Sequence, residues 1–451
     1  MINKLKNFPY KNVLVLGLAK SGLSTANVLI RNNINVIVND LNASINDPDV
    51  QNLIEKGADV ITGTHPLEIL DNIDLIVKNP GIPYSNIILE EALRRDITII
   101  TEVELAYKLL SKQNLIGITG SNGKTTTTTL VSKIFEVEKQ PVYTAGNIGV
   151  VSIEVAEKMK ENEKLLLELS SFQLQGTKQF KPTIACLLNL YEAHIDYHGS
   201  FENYVEAKSH IFYNQDKNDY LVYNADDDKV CQVVKEGQAQ LVPFSLNKEL
   251  TNGCYIKSNQ ILFCDDKIID IEDILLVGEH NLANILAAIA IVKLSGVSNE
   301  SIKEVLKVFT GVEHRLEHIG KKNGRTFYND SKATNILATE QALNAFKGPI
   351  ILLAGGLDRQ DDFTPLIPLL KNVKSMILFG ETKERLSEIG TKAGIENILL
   401  VDNMEDAVEQ AYAQSDVGDT ILLSPACASW DQYKTFEERG LSFIEAVNKI
   451  V

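Results

Sequence analysis

A chain of 451 residues is too long for one hydrophobic core to organise, and at ~100–200 residues per domain it predicts three domains. With 44% hydrophobic and 23% charged residues and 12 prolines, the composition is that of folded globular domains and excludes extended disorder. The formal charge of -16 excludes a broad electrostatic attraction to nucleic acid, so any anion it binds must be held locally.

Five cysteines, Cys186, Cys231, Cys254, Cys264 and Cys427, are scattered without a C-x-x-C pair, which argues against a disulfide framework and against a zinc cluster. Met1 to Lys11 is polar and charged, and no run reaches the ~18 apolar residues of a bilayer span. The expectation is a cytoplasmic protein with no membrane insertion.

Short β-branched runs alternate with longer amphipathic stretches, which predicts an α/β fold of parallel sheets covered by helices. In chain order, Val13 to Leu16, Asn35 to Asn39 and Asp74 to Val77 read as strands, with a helix over Ser21 to Arg31. They form a first domain, 1–104. A second strand opens at Leu115 and leads into a helix; Leu165 to Glu168 and Thr183 to Asn189 extend that sheet, Tyr220 to Ile271 is rich in β signals, and a helix from Asn281 to Leu294 closes a central domain, 105–310. Strands at Ile350 to Leu353, Ser375 to Phe379, Asn397 to Val401 and Thr420 to Leu423 make a third α/β domain, 311–451.

The strongest local signal is Gly117-Ile118-Thr119-Gly120-Ser121-Asn122-Gly123-Lys124-Thr125, between an apolar strand and a threonine-rich helix. It departs from the strict phosphate-loop pattern only at Ile118, where glycine is the rule. Its glycines let backbone N–H groups turn toward phosphate oxygens, Lys124 neutralises charge, and the Thr125 hydroxyl, or that of Thr126, suits magnesium. Glu168, ending a run of leucines, is the candidate acidic partner for that metal. The loop Asn189-Leu190-Tyr191-Glu192-Ala193-His194-Ile195-Asp196-Tyr197-His198-Gly199 is dense in imidazole and carboxylate, groups that ligate metal or donate to phosphate, though a plain surface loop fits the spacing equally well.

Gly17-Leu18-Ala19-Lys20-Ser21-Gly22, with Asp40 ending the next strand, gives the first domain a Rossmann-like look, but Ala19 replaces the middle glycine and weakens a nicotinamide role. A nucleotide's base, ribose or phosphates at these strand ends, with Asn79-Pro80-Gly81 on the same edge, remain open. In the last third, Asn329-Asp330-Ser331-Lys332-Ala333-Thr334-Asn335, Gly355-Gly356-Leu357-Asp358-Arg359 and Ser424-Pro425-Ala426-Cys427-Ala428-Ser429-Trp430 each follow a strand, and Lys332 with Arg359 would suit a carboxylate-bearing amino acid.

Together these motifs resemble the Mur ligases of peptidoglycan synthesis across all three domains. The likeness rests on G-I-T-G-S-N-G-K-T-T from Gly117, E-L-S-S-F-Q-L from Glu168, Gly278-Glu279-His280-Asn281 and His314-Arg315. The runs N-D-S-K-A-T-N from Asn329 and S-P-A-C-A-S-W-D-Q-Y-K-T-F-E-E-R-G from Ser424 point to the branch that adds D-glutamate. The resemblance implies a Rossmann-like N-terminal domain, a central phosphate-loop domain and a Rossmann-like C-terminal domain. It also implies an ATP-dependent amide ligase with UDP-N-acetylmuramoyl-L-alanine and D-glutamate as substrates, two magnesium ions and a monomeric enzyme.

Carried over by position, the resemblance gives Lys124, His194 and Lys208 catalytic roles. It sets Gly120, Asn122, Gly123, Lys124, Thr125, Thr126, Asn281, Arg315 and Asp330 on ATP. Thr125, Glu168, His194 and a carbamylated Lys208 fall to the metals, although by its own sequence context Lys208 reads as a solvated helix residue. Lys20, Ser21, Asp40, Asn79, Gly81 and Asn147 are grouped with the UDP-linked substrate, Asn147 also assisting beside the first magnesium. Lys332, Thr334, Arg359, Ser429 and Phe436 are matched to D-glutamate, Arg359 standing where some members carry lysine. Other ligases of the same superfamily, an NTP-dependent switch and a nicotinamide oxidoreductase are the alternatives.

Overall fold

The computed structural model describes residues 5, 8–110, 114–160 and 163–450. These residues cluster into two compact units, Met1–Ile271 with Ala283–Val305, and Glu272–Leu282 with Leu306–Val451.

The first unit carries two sheets. One is wholly parallel, of β1 (Asn12–Leu16), β2 (Asn35–Asp40), β3 (Asp59–Thr62), β4 (Leu75–Lys78) and β5 (Thr98–Ile100), in the order β3-β2-β1-β4-β5. The other contains β6 (Leu115–Thr119), β7 (Val142–Gly146), β8 (Lys164–Glu168), β9 (Ile184–Leu187), β10 (Tyr220–Asn224), β11 (Gln240–Ser245), β12 (Cys254–Lys257), β13 (Gln260–Phe263) and β14 (Asp266–Asp270). Its order is β14-β13-β12-β11-β10-β9-β6-β8-β7, and only the β12-β13 and β13-β14 pairings are antiparallel.

The second unit holds one sheet, of β15 (Glu317–Lys322), β16 (Arg325–Asn329), β17 (Ile350–Gly355), β18 (Val373–Phe379), β19 (Asn397–Leu400) and β20 (Thr420–Leu423), ordered β15-β16-β20-β17-β18-β19. Only the β15-β16 hairpin is antiparallel.

The central strands are apolar throughout because helices cover both faces. In β1, Val13 and Val15 enter one core cluster while Leu14 and Leu16 enter another. In β17, Ile350, Leu352 and Ala354 face one core and Ile351 and Leu353 the other, as a side-chain period of two requires. Strands β3, β5 and β7 and the β15-β16 hairpin went unread in the sequence; they are short, or carry charge and half-exposed positions, so the apolar signal is diluted. The helix expected from Asn281 begins at Glu279. Among the described residues no helix is long and apolar enough to cross a membrane.

Parallel connectivity sends the carboxyl ends of β1, β2 and β4, of β6, β8 and β9, and of β16, β17 and β20 to shared edges, where ligands of open α/β sheets bind. Within the first unit the two sheets are tied by Glu104, whose buried carboxylate accepts the N–H groups of Lys178 (3.0 Å), Gln179 (3.0 Å) and Phe180 (2.9 Å). Beside it Thr101 donates its hydroxyl to the Gln173 carbonyl at 2.6 Å and its N–H to Gly176 at 3.0 Å. Of these donors only the Phe180 N–H is buried, and stranding a buried donor costs ~1–3 kcal/mol. Glu104→Ala is therefore expected to destabilise the first unit by that amount in urea unfolding, and Glu104→Gln by less.

Candidate active site

The chain leaves β6 at Thr119 and enters the helix Lys124–Val137 through a bend that only glycine allows at its last position. Gly123 has φ of 84°, in the left-handed region, and a Cβ there would stand 2.1 Å from Asn284 Oδ1. The bend is braced from the loop after β9. Asn122 N–H donates to Asn189 Oδ1 at 2.8 Å, Asn189 Nδ2 donates to the Asn122 carbonyl at 3.1 Å, and Ser121 N–H donates to the Asn189 carbonyl at 3.0 Å. Ser121 Oγ accepts from Tyr191 N–H at 2.9 Å. Lys124 Nζ donates to the carbonyls of Gly120 (2.8 Å) and Ser121 (3.0 Å), so the ammonium lies across the loop it would serve. Thr125 is half-buried and Thr126 buried in the first helical turn, where no acidic residue opposes an anion. Asn189 and Asn284 carry no motif of their own, and the sequence reading gave them no role.

Glu168 ends β8, in register with Ile118 of β6. It is buried; Oε1 accepts from Asn147 Nδ2 at 3.0 Å, while Oε2 is buried with no hydrogen-bond partner. A buried carboxylate oxygen left open beside a phosphate loop is what a divalent cation requires, so the donor set fits magnesium. Asn147, whose N–H also donates to the Glu168 carbonyl at 2.8 Å, thus braces the acidic residue and is not among the residues lining the cavity beside β1 described below.

Lys208 is not the solvated helix residue its sequence context predicts. It is 2% exposed, donates to the Gly120 carbonyl at 2.9 Å and to Thr119 Oγ1 at 3.4 Å, and lies 4.8 Å from the centre of the Tyr204 ring. Burial, then the nearby Lys124 charge, push its pKa well below the usual lysine range, which favours the neutral, nucleophilic form of the amine. His194, at the exposed rim, has left-handed φ of 55° and meets the Phe172 ring edge-on at 4.9 Å. Desolvation, then Lys208, hold its imidazole below the usual value, so its ring keeps a lone pair for a metal. His198, also unassigned in the sequence, stacks on Phe172 and lies 3.0 Å from Ser171 Oγ; burial, then His194 and Lys208, push it to about 4.

Where β1 runs between β2 and β4, a cavity of about 330 Å³ is lined by Gly17, Asp40, Asn79, Gly81, His65 and Asn86 among others. Burial raises the Asp40 carboxyl, but N–H groups of Leu18 (2.6 Å), Ala43 (2.8 Å) and Asn42 (2.8 Å) outweigh it and keep the pKa below the usual carboxylate value. Ser21 Oγ accepts from Asn79 Nδ2 at 3.0 Å, just behind the wall, whereas Lys20 reaches away to the Gly149 carbonyl at 2.9 Å. His65 and Asn86 went unnamed in the sequence because they sit outside the glycine-rich segments.

In the second unit, Asp330 follows β16 and is buried, accepting from Ser424 Oγ at 2.9 Å and Leu316 N–H at 3.2 Å. Burial outweighs these donors and the charges of Arg315 and Arg439, raising its pKa to about 7. Arg315 is half-buried with an unpartnered Nε. Lys332 Nζ lies 5.4 Å from the Phe436 ring centre, and the Arg359 guanidinium 4.8 Å from that of Trp430. Ser429 Oγ is buried without a partner, Thr334 is half-buried with its N–H on the Lys332 carbonyl at 2.9 Å, and Asn281 Nδ2 donates to the Val277 carbonyl at 2.7 Å. Arg439, which the sequence reading quoted but gave no role, is fully buried. It donates to Ser331 Oγ (3.0 Å), the Ser331 carbonyl (2.8 Å) and the Gly355 carbonyl (3.4 Å), joining the loops after β16 and β17 from the helix that begins at Phe436.

Family models match along the chain: the Mur ligase MurD-like N-terminal domain over 11–101, the Mur ligase middle domain over 118–292 and the Mur ligase glutamate ligase domain over 314–427. The chain is 56% identical to a UDP-N-acetylmuramoylalanine--D-glutamate ligase of Oceanobacillus iheyensis over 449 residues, covering 100% of both chains. It is 55% identical to one of Bacillus thuringiensis strain Al Hakam over 446 residues, 98% of this chain and 99% of that one. The fold is similar to UDP-N-acetylmuramate-alanine ligase of Thermotoga maritima, with a TM-score of 0.56 at 16% identity over 97% of this chain and 99% of that one. It is also similar to UDP-N-acetylmuramoylalanyl-D-glutamyl-2,6-diaminopimelate--D-alanyl-D-alanyl ligase of Acinetobacter baumannii, with a TM-score of 0.58 at 16% identity over 97% and 93%.

Two outcomes follow from this geometry. Gly123→Ala forces a left-handed residue into Asn284 and is expected to abolish ATP binding in calorimetry while the far helices keep their circular dichroism signal. Asp330 titrates near 7 in the folded chain against about 4 unfolded, so its stabilisation is complete below about pH 4 and lost as pH rises through 7. Buried Glu102, raised to about 7 by desolvation, adds a slope of the same sign. The melting temperature of the ligand-free protein should therefore fall between about pH 4 and 7, and Asp330→Asn should flatten part of that fall.

Proposed function

The chain belongs to the Mur ligase family, and from that footing we propose that it joins D-glutamate to UDP-N-acetylmuramoyl-L-alanine in an ATP-dependent step of peptidoglycan precursor synthesis. The observation that carries the proposal is the braced phosphate loop at 117–125 beside the open buried oxygen of Glu168. The acceptor carboxylate resists amines because oxide leaves poorly. Transfer of the γ-phosphoryl group makes an acyl phosphate, the amine of D-glutamate attacks its carbonyl, and phosphate departs to leave the amide.

On this reading the loop N–H groups and Lys124 hold the phosphates and offset the charge that develops during transfer, Gly120, Asn122, Gly123, Thr125 and Thr126 shaping that cradle. Magnesium, when bound, supplies charge neutralisation at the phosphate oxygens. Glu168 and Thr125 are assigned to a first ion, His194 and Lys208 to a second. With its pKa lowered by burial, Lys208 is suited to add carbon dioxide through its unprotonated form, forming an N–C bond and releasing a proton, which would convert it into an anionic oxygen ligand. Asn281, Arg315 and Asp330 are assigned to ATP, and Lys332, Thr334, Arg359, Ser429 and Phe436 to D-glutamate. The unpartnered Ser429 Oγ and the cations over Phe436 and Trp430 suit a dicarboxylic amino acid. Asp40, Asn79 and Gly81, with Ser21 and Lys20 behind them, are assigned to the uridine nucleotide. The enzyme is proposed to act as a cytoplasmic monomer.

The deciding assay is phosphate release from ATP with magnesium, UDP-N-acetylmuramoyl-L-alanine and one amino acid at a time. Release strictly dependent on D-glutamate is expected. Equal turnover with L-glutamate, or turnover with no amino acid, would sink the substrate assignment. Lys124→Ala should lower kcat by at least ~10²–10³-fold without unfolding the chain.

A further inference from the structure

Lys78 ends β4, immediately before the Asn79-Pro80-Gly81 turn that walls the nucleotide cavity. Its side chain is 1% exposed, yet among the described residues it forms no ion pair with a carboxylate. Instead Nζ donates to the carbonyls of Ile82 (2.9 Å) and Pro80 (3.1 Å), more distantly to that of Asn79 (3.4 Å), and to the hydroxyl of Tyr197 (3.2 Å). The Tyr197 hydroxyl in turn has the same two carbonyls as acceptors, Pro80 at 3.0 Å and Ile82 at 3.1 Å. The rings of Tyr84 and Tyr197 flank the ammonium at 5.1 and 5.9 Å.

An ammonium buried without a counter-ion is costly, and burial pushes this one down to about 7. A leucine or methionine would fill the space more cheaply, so the charge must serve the backbone around it. It draws the carbonyls of Asn79, Pro80 and Ile82 toward one point, while Asn79 and Gly81 line the cavity. It is also linked to the metal side of the first unit. The Tyr197 ring meets Phe172 edge-on at 4.5 Å, and Phe172 meets His194 at 4.9 Å.

We infer that Lys78 is a positioning residue for the UDP-linked substrate: its ammonium sets the shape of the 79–82 turn that receives the nucleotide and, through Tyr197, fixes that turn to the loop carrying His194. This rests on the proposed ligase reading for the identity of the nucleotide. Neither residue is assigned to the chemistry, so both act through the groups they hold.

The test compares wild type with Lys78→Met, which keeps length and burial but removes the charge, and with Tyr197→Phe, which keeps the ring and removes the hydroxyl. Three readouts are taken: the melting temperature, KM for the UDP-linked acceptor and for ATP, and the affinity for UDP alone by calorimetry. For Lys78→Met, KM for the acceptor and Kd for UDP should each rise about 10- to 100-fold, the loss expected when a charge-assisted set of hydrogen bonds is removed, with KM for ATP within about twofold. Tyr197→Phe should move the same two quantities several-fold in the same direction. If Lys78→Met does not fold, Tyr197→Phe decides alone. Unchanged acceptor KM and UDP affinity in a folded variant, or an equal rise in KM for ATP, overturns the inference. Failure of the wild type to turn over UDP-N-acetylmuramoyl-L-alanine with D-glutamate would instead overturn the function, while the effect on UDP binding would still be read without turnover.

Discussion

The first unit is built around one backbone bend. Between β6 and the helix Lys124–Val137 the chain must present its N–H groups to a point in space, and a bare loop would not hold that shape against its own conformational entropy. The constraint is met by a reciprocal pair of amide hydrogen bonds between Asn122 and Asn189 and by Asn284, packed where a Cβ on Gly123 would fall. Asn189 reaches the bend only because β9 lies next to β6, and Glu168 only because β8 lies on the other side. The strand order is therefore what turns three separate sequence segments into one site.

Electrostatics at that point are unusual for a chain of net charge -16. Lys124 and Lys208 both direct their amines at the Gly120 carbonyl, and two ammonium groups so placed repel where Lys208 is buried and Lys124 half-buried. Burial, then the Lys124 charge, lower the Lys208 pKa well below the usual lysine range, which eases that conflict. His194 and His198 are held below their usual value by burial first, and then by Lys208 at His194 and by His194 and Lys208 at His198. The result is a pocket of lone pairs beside one fixed cation and one buried carboxylate, a set of donors suited to a divalent metal and an anionic nucleotide together.

Much of this was legible in the sequence for a physical reason. Central parallel strands such as Val13 to Leu16 and Ile350 to Leu353 are apolar on both faces and announce themselves, and a glycine-lysine-threonine turn after such a strand can do few other things. Edge strands lack that redundancy, so β3, β5, β7 and β15 were missed. The bracing residues were missed for a different reason. Asn189, Asn284, Glu104 and Arg439 act through partners tens or hundreds of residues away, and nothing in their own neighbourhood marks them as braces. Lys208 shows the error in its sharpest form: local context predicts solvent, and the fold supplies a tyrosine face and a loop carbonyl.

Buried polar atoms without partners separate binding sites from scaffolding only when their place in the sheet is considered as well. Glu168 Oε2, Arg315 Nε and Ser429 Oγ are such atoms, but so are Thr25 Oγ1, Thr128 Oγ1 and Gln140 Oε1. The hydroxyls of Thr25 and Thr128 belong to helix interiors, where an oxygen tolerates a missing partner at modest cost. Glu168 stands at the carboxyl end of its strand, and Arg315 and Ser429 stand in loops beside the carboxyl ends of β16 and β20, where the backbone opens to solvent and a ligand can complete the bonding. A charged group left open at such an edge costs several kilocalories per mole when nothing is bound, by the general penalty for burying unpaired charge, and that cost is recovered on binding. The same reasoning applies to Lys78, whose charge is satisfied by backbone carbonyls of the cavity wall and by a tyrosine, so its effect is spent on shape. Open groups at strand ends are where this fold awaits its ligands, and saturated ones such as Lys78 and Arg439 are what keep the waiting groups in place.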